Sequence, residues 1–149
     1  MEDVSSVLRI VIDASVVLSW LLPLETLQVK ANKLMERYEK HRVDVRCPFI
    51  IVYEVLNGIR SAVLSKRIKE NQLDEAYARY HALGIPIDDF FVPNDETLHL
   101  AMRHNLSIYD ASYIDFAGQQ KRALYTADRK FVNKLNVANM SFVYLDDFH

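Results

Sequence analysis

Cysteine, glycine and proline are all scarce in this chain of 149 residues, and each scarcity excludes a class of protein. The single cysteine, Cys47, cannot form a disulfide within the chain, so no disulfide framework exists and a reducing, cytoplasmic setting is expected. Three glycines and four prolines, with no serine- or glycine-rich stretch and no internal repeat, leave nothing to serve as a linker. Residues 1–149 are therefore expected to form one domain, a length that buries enough surface to need no covalent staple. No apolar run approaches the roughly 20 residues of a membrane span. Residues 1–4 (MEDV) are acidic where a secretory signal would be basic. The formal net charge of −2 lacks the basic footprint of a general nucleic-acid binder, although clustered acids can hide a local basic rim. The five histidines (His41, His81, His99, His104 and His149) show no zinc-like spacing with Cys47 or with one another.

What the chain does have is an alternation of short apolar runs with helical periodicity. Residues 7–12 (VLRIVI) are apolar and β-branched, the mark of a strand buried on both faces. Residues 15–22 read as a helix ending near Pro23, and Leu24, Leu27, Ala31, Leu34, Met35 and Tyr38 recur at helical spacing. Residues 43–47 form a second strand, stopped by Pro48. A long helix follows over 49–64, then another marked by Leu73, Ala76, Tyr77, Tyr80 and Leu83 and closed by Gly84. A third strand spans 85–92. Asn94 or Asp95 caps a helix through Met102, and Asp110 opens one through Gly118. Strands at 123–126 and 142–145 flank a short helix at 128–135. Strands separated by helices imply a parallel sheet covered on both faces, because parallel neighbours need crossovers. The expectation is a three-layer α/β/α sandwich with a central parallel five-stranded sheet, its ligand edge at the strands' C-terminal ends.

Four acids stand where that topology gathers side chains. Asp13 directly follows the first strand, and Asp128 follows the fourth with only Ala127 between; both reach one edge if those strands are neighbours. Taken singly, Asp13, Asp110 and Asp128 are each explained as helix N-caps. Glu54 is not, because it interrupts an apolar helix; it is either an ordinary solvent-facing glutamate or a carboxylate that must be paired, protonated or bound to a cation. Asn57, Gly58 and Ser61 share its helical face, which reads as the wall of a cleft. Carboxylates gathered in one cleft repel unless something positive joins them, and oxygen-only ligands favour Mg²⁺ or Mn²⁺. Such an ion activates water and offsets the charge of a phosphodiester under attack. Arg60, Arg129 and Lys130 are candidate contacts to RNA phosphates, beside the ordinary reading of solvated surface charge. Lys66, Arg67 and Lys69, which follow the Glu54 helix, belong to the same group. Trp20, Leu21, Leu22 and Leu24 flank Pro23 in an apolar turn that serves either the core or a docking groove for a partner.

Four segments, Ile12-Asp13-Ala14-Ser15-Val16, Tyr53-Glu54-Val55-Leu56-Asn57-Gly58, Tyr109-Asp110-Ala111-Ser112-Tyr113 and Tyr125-Thr126-Ala127-Asp128-Arg129-Lys130-Phe131, occur in the order found in PIN-domain ribonucleases. The chain resembles, in particular, the VapC-type toxins of toxin–antitoxin pairs. The resemblance implies a PIN-like fold, endonucleolytic cleavage of RNA, and Asp13, Glu54, Asp110 and Asp128 as catalytic ligands of Mg²⁺ or Mn²⁺. It also implies support of those acids by Ser15 and Thr126, a homodimer, and a VapB-type antitoxin that blocks the site. Asp115 departs from the apolar residue usual at its position and is expected to face solvent or cap a neighbour. Two alternatives share the resemblance: an RNA-processing nuclease that is no toxin, and a non-catalytic RNA-binding PIN module. A phosphatase or receiver-type domain built on Asp13 fits poorly, since position 15 is Ser15 and no paired acids precede Asp13.

Overall fold

A computed structural model of the chain describes residues 7–149; the acidic N-terminal stretch 1–4 lies outside them. The first strand, β1 (Leu8–Ile12), carries Ile10, Val11 and Ile12 with no solvent exposure at any of the three. Successive strand residues point to opposite faces, so both faces of β1 are covered. Helices α1 (Ala14–Leu21) and α2 (Gln28–Glu39) follow, then strands β2 (Val43–Val45) and β3 (Cys47–Pro48) and the long helix α3 (Ile50–Leu64). Beyond them come α4 (Leu73–Ala82), β4 (Ile87–Asp88), α5 (Asp95–His104) and α6 (Ile108–Gln120). The chain closes with β5 (Ala123–Thr126), α7 (Arg129–Val137) and β6 (Val143–Tyr144).

The main sheet has strand order β2-β1-β5-β6, and every pair is parallel. The first strand and the 123–126 strand are thus neighbours, in the register Ile10↔Ala123 and Ile12↔Tyr125. Arg122 fastens that order: its buried guanidinium reaches past β1 to the Asp44 carbonyl at 3.0 Å and the Asp44 carboxylate at 2.9 Å. Helices α1 and α6 both pack on β1 and β5; α1 also packs against α2 and α3, and α6 against α5. This is the expected α/β class with a parallel sheet. Among the described residues no helix is long and apolar enough to cross a membrane.

The strand count is corrected. Instead of five strands in one sheet the described residues form four, with β3 and β4 as a separate parallel pair. The amide of Arg46 still donates to Ile10 O at 3.1 Å, but the next one, of Cys47, donates to Pro86 O at 3.0 Å. The chain thus changes partner between 46 and 47. The expected strand over 85–92 shrinks to two residues, because the Asp88 carboxylate accepts the Phe90 and Phe91 amides at 2.9 and 3.1 Å and turns the backbone away.

Two helix starts also move. Leu24 does not belong to α2: it has φ 64° and is 89% exposed, and the helix begins only after Leu27. Helix α6 begins at Ile108 rather than Asp110, with Ser107 as its cap, accepting the Asp110 amide at 3.0 Å. Asn94 caps α5, and Gly84 adopts the left-handed conformation (φ 56°) just past α4, as expected.

Candidate active site

Asp13 sits where β1 ends and α1 begins, and it is only 5% exposed. Its carboxylate caps α1 by accepting the Val16 amide at 3.3 Å, and it accepts short hydrogen bonds from the hydroxyls of Ser15 and Thr126. Those hydroxyls spend their single proton on Asp13 and are free only as acceptors elsewhere. Ser15 Oγ accepts the Ala127 amide at 2.8 Å, and Thr126 Oγ1 accepts the Asp128 amide at 3.1 Å. The turn that carries Asp128 is thereby hung from Asp13 through two side chains. Burial pushes the Asp13 carboxyl up to about 7; the Ser15, Thr126 and Val16 hydrogen bonds pull the other way, and the charge of Glu54 adds to the rise.

Glu54 projects from α3, half-exposed, and accepts the Tyr113 hydroxyl at 3.0 Å. Its carboxyl is raised by burial first, held back by the Tyr113 bond, and raised again by the charges of Asp110 and Asp128. Tyr113 itself is buried in α6, one turn beyond Asp110 on the same face. Helix α3 stands close to α1 at Gly58: a Cβ there would lie 2.4 Å from Leu18 Cδ1 and 2.7 Å from Leu18 Cδ2. Glycine at 58 is what permits this approach beside the acids.

Asp110 is not a helix cap, since Ser107 holds that role, and its carboxylate is left for the cleft. Burial raises it, a hydrogen bond with Ser107 and the charge of Lys134 lower it, and Asp128 raises it. Lys134 Nζ stands 3.9 Å from Asp110 Oδ2. Asp128 does cap its helix, accepting the amides of Lys130 at 2.8 Å and Phe131 at 3.4 Å, and it lies exposed at the rim.

Two strand-to-helix junctions and two helices thus bring Asp13, Asp128, Glu54 and Asp110 to one cleft of about 240 Å³ at the C-terminal edge of the sheet. Ser15, Leu18, Asn57, Gly58 and Tyr113 complete its lining. No histidine or cysteine contributes, so the donors are hard oxygens, suited to Mg²⁺ or Mn²⁺ rather than zinc. Among the described residues no three His, Cys, Asp or Glu side chains stand close enough together, as they are placed, to hold a metal ion between them.

The other expected residues are placed less centrally. Arg60, Arg129 and Lys130 are exposed and do not line the cleft; Arg129 stacks over the Tyr144 ring at 5.1 Å. Arg67 is committed to Pro23 O at 2.9 Å and Glu25 at 2.7 Å. In the 20–24 turn, Leu21 and Leu22 belong to the core, whereas Leu24 is exposed on a groove of about 500 Å³ shared with Arg67 and Arg79. Asp115 accepts the Thr97 hydroxyl at 2.6 Å and so secures the first turn of α5. The sequence reading missed the roles of Tyr113 and Lys134. Tyr113 is signalled by its i,i+3 spacing from Asp110, but Lys134 meets Asp110 only through tertiary packing.

The profile of the PIN domain family matches residues 10–134. Ribonuclease VapC3 of Pyrobaculum aerophilum is 25% identical over 131 residues, covering 85% of this chain and 95% of that protein. The crystal structure of PAE2754, from the same organism, superposes with a TM-score of 0.68 at 19% identity, over 93% of this chain and 92% of that one. FitAcB from Neisseria gonorrhoeae gives 0.59 at 18% identity, over 93% and 99%. A structure of FitAB bound to an IR36 DNA fragment gives 0.55 at 17%, over 94% and 96%. At these identities the structural likenesses speak for the fold alone.

Proposed function

This chain belongs to the PIN-domain family, and from that premise we propose that it is a Mg²⁺- or Mn²⁺-dependent endoribonuclease, the toxin of a VapBC-type toxin–antitoxin pair. The observation that carries this reading is the convergence of Asp13, Glu54, Asp110 and Asp128 on one cleft. Three of those carboxyls, Asp13, Glu54 and Asp110, are raised by burial, and perturbed acids gathered in a cleft mark a candidate functional site. Asp13, Glu54 and Asp110 are the ligands in this reading, with Asp128 completing the site from the rim. A divalent ion held there supplies the charge that acidifies water and offsets the developing charge on phosphorus.

The protein's own residues set the stage for that chemistry. Ser15 and Thr126 fix the Asp13 carboxylate with their hydroxyl protons turned toward it, so its oxygens stay acceptors. Tyr113 holds one oxygen of Glu54 and leaves the other to the cleft. Water attacks phosphorus, the bond to the 3′ oxygen breaks, and that oxygen takes up a proton, leaving 3′-hydroxyl and 5′-phosphate ends.

Two partners complete the proposal. An antitoxin is proposed from the likeness to Ribonuclease VapC3, and the groove at Leu24, where leucines adjoin Arg67, Glu75 and Arg79, offers it a mixed polar and apolar seat. A homodimer is supported by exposed Phe49, Tyr53 and Tyr109 around an apolar hollow of about 680 Å³ and its neighbour. The test is inducible expression of wild type and Asp13→Asn with 5′-end mapping of total RNA, alongside cleavage by the purified proteins with Mn²⁺ or EDTA. Growth arrest, new 5′-phosphate ends and loss of both in Asp13→Asn are expected. Full-rate cutting by Asp13→Asn, or 2′,3′-cyclic phosphate products, would defeat the proposal.

A further inference from the structure

Among the described residues, Lys134 is the one basic side chain in ion-pair contact with a cleft acid, its Nζ lying 3.9 Å from Asp110 Oδ2. It stands in the last turn of α7, the helix that Asp128 caps at the other end. A lysine near a helix C-terminus is already favoured by the helix dipole and needs no carboxylate partner. Its side chain nevertheless reaches Asp110, in the first turn of α6. The side chains are 44% and 26% exposed, and the separation is at the long end of an ion pair. Such a contact between partly exposed side chains is weak enough to be exchanged. A divalent ion bound to Asp110 would repel the ammonium and displace it, and its flexible four-carbon stem keeps it within reach of the cleft rim.

We propose that Lys134 is a positioning residue that competes with the divalent ion for Asp110 and, once displaced, meets the phosphate backbone of the RNA. Metal loading and substrate capture are then linked through one side chain, the only basic one paired with a cleft acid among the described residues. The inference rests on the metal-dependent nuclease reading above. It predicts opposite changes at the two ligands: removing the ammonium tightens the metal and loosens the RNA.

The experiment compares wild type with Lys134→Met and Lys134→Arg, with Lys134→Gln in reserve should the methionine variant fail to fold. Mn²⁺ is titrated calorimetrically into metal-free protein at pH 8. Binding of a mixed-sequence single-stranded RNA oligonucleotide is followed by fluorescence anisotropy in Ca²⁺ across a salt series. Lys134→Met is expected to bind Mn²⁺ about two- to fivefold more tightly, the size of one partly exposed pair. Its RNA affinity is expected to fall severalfold, with the log–log salt slope reduced by about 0.7, the value of one single-strand phosphate contact. Lys134→Arg should restore both. Unchanged Mn²⁺ affinity in Lys134→Met, or tighter Mn²⁺ with unchanged RNA binding, overturns the proposal while leaving the nuclease reading intact. A wild type that binds no Mn²⁺, or binds it equally after Asp110→Asn, overturns both.

Discussion

Thr126, at the end of β5, gives its hydroxyl proton to the carboxylate of Asp13, at the end of β1. The contact exists because β1 and β5 are adjacent, in a register that sets Ile12 beside Tyr125. Ser15 makes the equivalent bond from the first turn of α1, and the two hydroxyls approach each other at 3.3 Å. Asp13 is therefore surrounded by donors suited to its ionised form, yet burial opposes ionisation and holds the carboxyl up to about 7. Charge at this position is maintained against the stability of the fold.

That opposition has a measurable sign. A carboxyl whose folded pKa lies above its unfolded one favours the folded state while protonated. Stability is therefore lost as pH rises from about 4 to about 7, by on the order of 4 kcal/mol for Asp13 alone. Asparagine is close in shape to the protonated acid. Asp13→Asn should match wild type near pH 4 and exceed it by about 2 to 4 kcal/mol at pH 8, while losing nuclease activity. Urea unfolding without divalent ions at pH 4, 6 and 8 checks this; parallel curves for the two proteins would contradict it.

The elements that make the cleft were readable because each has a local cause. The apolar run at 8–12 must be a covered strand, Gly84 must end a helix, and Glu54 in an apolar helix needs a destination. The four acids could be grouped because strand ends of a parallel sheet share an edge. Other features depend on partners distant in the chain. Nothing near Cys47 announces that its amide pairs with Pro86 O instead of continuing along β1, so four strands were expected to be five. Asp110 reads as a cap because it stands near the helix start, but Ser107, three residues earlier, takes that role by accepting the Asp110 amide at 3.0 Å. Lys134 carries no local mark at all.

Gly58 separates stability from activity. An alanine there gains helix propensity of about 1 kcal/mol, and its Cβ collides only with the far end of Leu18, which can turn aside. Leu18 lines the acid cleft, so turning aside costs space needed by substrate. Gly58→Ala should keep its unfolding free energy within about 1 kcal/mol of wild type and lose roughly tenfold in kcat/KM, about 1.4 kcal/mol of transition-state binding. Adding Leu18→Ala should recover most of that loss. A double variant no better than Gly58→Ala would show that the collision is not the cause.

Tyr113→Phe tests how Glu54 is held. The hydroxyl lowers the Glu54 carboxyl against the rise caused by burial and by Asp110 and Asp128, so its removal raises Glu54 further. The acid limb of the kcat/KM profile should move to higher pH, with a stability loss of about 0.5 to 1.5 kcal/mol for the hydrogen bond. The activity lost at pH 6 should exceed that lost at pH 8. An equal loss at both would make Tyr113 a packing residue only.

Metal binding should reverse the pH trend of stability, because a cation in the cleft favours the ionised acids that burial disfavours. At pH 8, Mn²⁺ at a hundred times its dissociation constant stabilises the folded chain by about 2.7 kcal/mol. For a domain of this length that raises Tm by roughly 5 to 10 °C. At pH 5 the raised carboxyls of Asp13, Glu54 and Asp110 retain protons that the ion must displace, so the rise should be smaller. Asp13→Asn should show little rise at either pH. Thermal melts at matched ionic strength decide the matter: a Tm increase that is equal at pH 5 and pH 8, or that survives in Asp13→Asn, would place the ion somewhere other than among these acids.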